Sequence, residues 1–428
     1  MAALFPFRAL RPAPDTAPLV AAVPYDVVGP DEARALASGH PLSFLHVSRA
    51  EIDLPSGTDP YSGVVYAAAA SRFQMLKRDA PLVRDEVATL YVYRLRQGAH
   101  TQIGVAGCCA LEEYDSGVIR KHERTHRDKE DDRTRHMLAL RAQTGPVLLT
   151  YRASAEIDEL VSRAAATAPL FDFDADDRVR HTIWRLSPGD ARGIAETFAR
   201  VPALYIADGH HRAASAGRAR RALRETEGDS ERHRVESGGA VSTRAEVVAP
   251  GAVPYEVFLA VAFPDNQVQI LPYNRVVRDL NGLTNDGFLA AIKVGFDVSP
   301  GASSPARKGE IAMYLGGRWH TLHSRDDSGG RPDAIASLDV SVLQRRLLDP
   351  VLGVHDVQTG PRIDFVGGGR GAAALEDVVN QGKGAVAFSM FPVSVSELIA
   401  IADAGLIMPP KSTWFEPKLR DGLLIHEI

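Results

Sequence analysis

"ALYIADGHHRAASAGRARRAL", residues 203–223, is the stretch from which the rest of the chain is best read. Ala203–Ala207 is a short apolar run, Asp208-Gly209 is a turn pair, and an alanine-rich segment follows from His210. The pattern predicts a strand, a tight turn and a helix. A carboxylate at a strand end, next to glycine and a helix start, makes a ready anion site. Backbone amides and the helix dipole face the ligand there, and Gly209 lets it approach the main chain closely. His210, His211 and Arg212 add donors in the first turn. The competing reading is a plain N-cap, with Asp208 bonding amides and the histidines exposed. Two histidines and an arginine crowding one helix start favour a ligand over a cap.

On either side of this stretch the chain alternates helical and strand-like segments without a regular period. "VATLYVYRLRQGAHTQIGVAGCCALEEY" reads as two strands around a turn, and "GPDEARALASGH" as a helix opened by Pro30 and stopped near Gly39. Residues 225–253 carry little apolar content and read as a flexible insertion. "PYEVFLAVAFPDNQVQILPYNRVV" gives two further strands, and helix and strand alternate again beyond about residue 283. Hairpins mixed with helices predict an α+β fold rather than a wheel of βαβ units. The expected organisation is an N-terminal part, 1–224, carrying the DGHHR site, the insertion 225–253, and a C-terminal α+β part, 254–428, that completes the core and closes the site.

Composition narrows the function classes. A net charge of −5 and the lack of a long basic stripe argue against nucleic acid as a partner. "RARRALRE", residues 218–225, is a short basic helix face that reads as solvated. No apolar run approaches the roughly 20 residues of a membrane span. The two cysteines, Cys108 and Cys109, are adjacent and sit in an apolar run, so they read as core residues rather than a disulfide. Their scarcity, and an N-terminus without an apolar leader, lead to the expectation of a cytoplasmic protein.

"KHERTHRDKEDDR", residues 121–133, contains His122-Glu123-Arg124-Thr125-His126, the H-E-x-x-H pattern of zinc peptidases. That chemistry needs both histidines on one helix face against a dry wall. Here Lys121, Arg124, Arg127 and Lys129 would repel a dication, and the flanks are polar on every side. The mixture of cations and acids suits a polyphosphate with its Mg²⁺ better, or else a solvated, salt-bridged helix start.

Several motifs in one order then carry a resemblance. "FPFRALRP", "AAVPYDVV", "VIRKHERTHRDKEDDR", "YIADGHHR", "LPYNRVV" and "MPPKSTWFEPKLRDGL" run from residue 5 to residue 423. Together they resemble the family known as domain of unknown function 1015. "DGHHR" after an apolar strand resembles the phosphate motif of the ParB/sulfiredoxin-like superfamily, which includes free-serine kinases. The resemblance implies a ParB/sulfiredoxin-like nucleotide-binding core with a further mixed α/β region. It also implies a kinase that phosphorylates free L-serine or a similar small hydroxylated metabolite. ATP, ADP or pyrophosphate would be the donor, with Mg²⁺ as cofactor. The alternative within that superfamily is a nucleotide-binding regulator without turnover.

The residues inherit roles unevenly. Gly209, His210, His211 and Arg212 take the phosphate site. Asp26 and Asp208 are the candidate catalytic carboxylates, one accepting the hydroxyl proton and the other orienting Mg²⁺, with Asp208 as the metal ligand. His122, Arg124, Thr125, Lys129 and Arg133 of the charged segment would contact the donor, as would Arg275. Lys411, Ser412 and Thr413 would close over it. At position 274 the family commonly has His where this chain has Asn274.

Overall fold

The computed structural model describes residues 1–79, 82–236, 253–325, 333–357 and 360–428, with backbone alone for 227–236. Its described chain divides into two compact units. The first holds Met1–Lys121, Thr125–Val268 and Pro417–Ile428; the second holds His122–Arg124 and Gln269–Glu416.

The first unit is built on an eight-stranded mixed sheet. Its strands are β1 (Tyr91–Gln97), β2 (His100–Ala110), β3 (Ile119–Arg120), β4 (Val147–Tyr151), β5 (Phe171–Asp174), β6 (Val179–Arg185), β7 (Leu204–Asp208) and β8 (Val257–Pro264). Their order across the sheet is β3-β7-β4-β8-β2-β1-β6-β5. β1 and β2 form the expected hairpin, turning at Gly98, whose φ of 58° is left-handed. The unbroken apolar runs belong to central strands covered on both faces: every residue of β8 and of β4 is buried. At the edge, β5 alternates Phe171 inward with Asp172 outward. Cys108 and Cys109 are buried in β2 and unpaired, as their apolar surroundings predict.

Three helices of this unit matter most. α1 (Gly63–Asp79) buries Tyr66, Ala69, Phe73 and Leu76, a single face at helical spacing. α2 (Arg127–Leu140) follows the charged segment, with His126 as its N-cap residue. α3 (His210–Glu236) continues from β7. Residues 225–236 are therefore helical. They are polar but rich in Arg and Glu, which hold a helix without an apolar face. Residues 237–252 of the expected insertion lie outside the described residues.

The chain's two ends meet the same unit. Leu10 bridges Ile425, and Ala22 bridges Asp421 through a reciprocal pair of main-chain hydrogen bonds. The borders therefore run differently from those expected near 224 and 254. β8 pairs with β2 and β4 in the middle of the first unit's sheet, and residues 417–428 return to that unit.

The second unit carries a six-stranded, wholly antiparallel sheet. Its strands are β9 (Tyr273–Val277), β10 (Phe296–Pro300), β11 (Glu310–Leu315), β12 (Arg318–Ser324), β13 (Ile363–Gly367) and β14 (Val386–Met390). Val276, Tyr314, Leu375 and Ala387 form a small core on one face. The whole is a mixed, α+β arrangement, in keeping with the hairpins read from the sequence. No helix among the described residues is long and apolar enough to cross a membrane.

Candidate functional site

β7 delivers Asp208 to the end of the sheet through a register shift. Ile206 faces Leu149 on β4 and Asp208 faces Leu148, so one extra residue is inserted just before the carboxylate. Such bulges re-aim a side chain at a strand end. Gly209 follows with φ of 92°, and a Cβ there would meet the Cα of Val147 at 3.4 Å. The left-handed φ favours glycine at the turn into α3.

Asp208 is held at both oxygens. Oδ1 accepts the Gly209 N–H at 3.0 Å, and the Lys418 ammonium donates to Oδ2 at 3.1 Å. Burial alone would raise its pKa. The Lys418 and Arg212 charges, with the Lys418 hydrogen bond and His210, instead hold it well below the usual carboxylate range. The expected Mg²⁺ on Asp208 does not fit, because a dication there would face the Lys418 ammonium and the Arg212 guanidinium.

Arg212 is buried on the first turn of α3. Its Nη1 donates to the Pro146 carbonyl at 2.8 Å and its Nη2 to Asp26 Oδ1 at 3.2 Å. Burial disfavours its charge, but Asp26, Asp421 and Asp208 more than offset that and raise its pKa. Asp26 lies in the turn after Pro24 and keeps about a third of its side chain exposed. Beside it, Tyr25 is buried, and the Arg133 guanidinium lies 4.1 Å from its ring centroid.

The charged segment mostly binds itself and its neighbours. Thr125 donates to Glu130, and Arg218 of α3 clasps both Glu130 and Asp131. Asp132, buried, accepts from Tyr66 at 2.9 Å and from Arg133 at 2.8 Å. His126 stacks on His211 with ring centroids 5.9 Å apart. Lys129 is exposed. Residues 121–126 form no helix, so the H-E-x-x-H pattern lacks the helical geometry that zinc chemistry needs.

The remaining expected site residues fall in the second unit, with Arg124 exposed there. Arg275 is buried on β9 and donates to the carbonyls of Tyr273 and Lys411, the latter at 3.1 Å. Burial pushes its pKa down to about 10. The Lys411 ammonium lies 5.5 Å from the Tyr273 ring centroid, Ser412 donates to the Pro409 carbonyl at 2.6 Å, and His122 Nε2 is 3.3 Å from Thr413 Oγ1. Asn274, where the family commonly has His, is buried and accepts the Met390 N–H at 3.0 Å. Its amide ties β9 to β14, a structural task.

Two residues of the site were not read from the sequence, Lys418 and Asp421. Lys418 neutralises Asp208, and Asp421 is buried beside Arg212. Their signal was present: they are charged residues inside "PKLRDGLLI", where Leu419, Leu423, Leu424 and Ile425 are all buried. A charge within an apolar run has a buried partner or a task.

The fold and this cluster define a mixed α/β protein with interlocked buried charges at a strand-to-helix turn. The chain belongs to the family described as "Protein of unknown function (DUF1015)", whose model matches residues 4–341. No curated protein sequence matches it. Among solved structures it is similar to a free serine kinase in complex with AMP, at 14% identity and TM-score 0.35, covering 75% of this chain and 92% of that one. It is also similar to SbnI with C-terminal truncation from Staphylococcus aureus, at 11% identity and TM-score 0.37, covering 74% and 85%. A conserved hypothetical protein from Pyrococcus furiosus gives 14% identity and TM-score 0.34, covering 75% and 94%. Likenesses at these scores assign this chain no activity.

Proposed function

We propose that the protein is a small-molecule kinase, moving a phosphoryl group from ATP, ADP or pyrophosphate to the hydroxyl of free L-serine or a similar small metabolite. The observation that carries this reading is the start of α3. Gly209, the first-turn amides, His210, His211 and a buried Arg212 gather beside the carboxylates of Asp26 and Asp208. A helix N-terminus with an arginine fork is built for an anion. Phosphoryl transfer asks a protein mainly to position its two substrates and to stabilise charge. The "DGHHR" resemblance, with the ParB/sulfiredoxin-like core that it implies, supports the same reading.

Within it, His210, His211 and Arg212 hold donor phosphates, and Asp26 orients the Arg212 fork while its exposed part meets the acceptor. Asp208 is a poor proton acceptor, because its charge is already spent on Lys418, so it organises the helix start.

A transfer screen tests the reading, with ATP, ADP and pyrophosphate each offered L-serine, L-threonine and glycerol. Phosphate ester formed from at least one pair is expected, and none from any pair refutes the kinase. Arg212→Lys keeps the charge but loses the fork, and donor binding is expected to weaken roughly tenfold. Unchanged donor affinity in that variant counts against the phosphate site.

A further inference from the structure

A small cavity of about 40 Å³ lies within the first unit, beside the first turn of α3. Tyr25, Ser48, Arg133, Gly145, Arg212 and Asp421 contribute to its wall. Three buried polar atoms of that wall have no hydrogen-bond partner in the protein: Ser48 Oγ, Arg212 Nε and Asp421 Oδ1. Buried polar atoms are nearly always paired, so three orphans around one cavity call for a ligand group. The set is specific. Arg212 Nε–H can only donate, the Asp421 carboxylate oxygen accepts, and the Ser48 hydroxyl does either. A hydroxyl both accepts from the first and donates to the second. The volume has room for such a group, since a cavity of roughly 10–15 Å³ already holds a water.

The backbone makes room for this arrangement. A Cβ at Gly145 would lie 2.2 Å from Asp421 Oδ1, so only glycine lets that oxygen keep its position. Asp421 is fixed by the main-chain pair with Ala22 and by the Tyr25 N–H, which donates to its carboxylate.

We infer that Asp421 is the catalytic base of the proposed transfer, and that this cavity seats the acceptor's hydroxymethyl end. The inference rests on the kinase reading above. In the step, the acceptor oxygen forms a bond to the terminal phosphorus of the donor. The bond from that phosphorus to its bridging oxygen breaks, and the electron pair leaves with the shortened donor. The hydroxyl proton passes to Asp421 Oδ1. Arg212 and Arg133 face the phosphoryl oxygens, and Ser48 orients the attacking hydroxyl.

The electrostatics agree. Burial pushes Asp421 up to about 7, partly offset by Arg212 and Arg133 and reinforced by Asp26. A base poised near the working pH is the effective one. Of the other titratable groups on the wall, His136 is held down to about 3 by burial and Arg133, so it stays neutral, and Tyr25 is raised by burial and Asp26.

The test compares the unaltered protein, Asp421→Asn and Asp26→Asn across roughly pH 5 to 9, using ATP and the best acceptor of the screen. The kcat of the unaltered protein is expected to fall on the acid side with an apparent pKa near 7. Asp421→Asn should lose about 100-fold or more and lose the limb, with ADP affinity unchanged. Asp26→Asn should keep the limb. Turnover within about fivefold in Asp421→Asn overturns the assignment while leaving the kinase reading intact. So does a limb that vanishes in Asp26→Asn instead. Should Asp421→Asn not fold, the limb of the unaltered protein decides, and its absence overturns the assignment. No transfer from any donor removes the kinase reading, and the base with it.

Discussion

Arg212 in the first unit and Arg275 in the second are both buried arginines, and the molecule treats them in opposite ways. Arg212 sits among Asp26, Asp208 and Asp421, and its charge is favoured. Arg275 donates to backbone carbonyls and lies 5.6 Å from the Phe365 ring centroid, and burial depresses it to about 10. No carboxylate forms an ion pair with Arg275 among the described residues. One arginine is the hub of a neutralised network, while the other is a cation solvated by peptide dipoles. A hub cannot be removed without stranding its partners; a dipole-solvated cation can.

The largest expected effect follows directly. Arg212→Met leaves Asp26 and Asp421 with Arg133 as the remaining counter-charge to Asp421 and takes a donor from the Pro146 carbonyl. The loss should be roughly 3–5 kcal/mol at neutral pH, read from chemical denaturation. It should shrink in acid, where the stranded carboxyls protonate. A loss below about 1 kcal/mol would break the contrast between the two arginines.

Asp421 sharpens the comparison, because its network leaves it incompletely compensated. Its carboxyl is lifted from an unfolded value near 4 to about 7 by burial first, with Asp26 adding to it. The protonated form is favoured in the fold, so the stabilising contribution is full below about pH 4 and lost as pH rises through 7. Asp421→Asn removes that penalty. It is expected to gain about 2–4 kcal/mol at pH 8, with little change near pH 4. Melting curves at the two pH values check this. A variant more stable at alkaline pH yet unable to turn over is the mark of a residue kept for function against stability.

These cases also show what the sequence discloses. The turn from β7 into α3 was legible because each signal is local: an apolar run, an Asp-Gly pair, alanine-rich helix formers. Lys418 and Asp421 were not, since Lys418 reaches Asp208 across 210 positions of chain. Lys411, Ser412 and Thr413 serve the second unit through their side chains and carbonyls, while the charged residues seven to ten positions on, inside an apolar run, belong to the first. The segment 121–133 had the opposite fault: its composition suited a phosphate, but several of its acids are already tied to Arg218, Arg133 and Tyr66. Pairing of that kind depends on which helix packs alongside, which charge patterning alone does not show. The extension of α3 to Glu236 follows from helix propensity, which apolar content does not reveal.

Arg275→Met gives the smallest effect and separates two reasons for burying a cation. The thioether spans a similar length without a charge, so the variant escapes the desolvation that depresses Arg275. It also gives up two hydrogen bonds to the carbonyls of Tyr273 and Lys411. These terms oppose each other, and the net change in stability should lie within about 1 kcal/mol of zero. If Arg275 is kept only to tie β9 to the Lys411 segment, the variant should bind ADP and pyrophosphate as the unaltered protein does. If it is kept for an anion, stability stays level while donor affinity falls roughly tenfold or more. Arg212→Met would lose both together, so calorimetry on the two variants tells a cation that holds the fold from one held in reserve for a ligand.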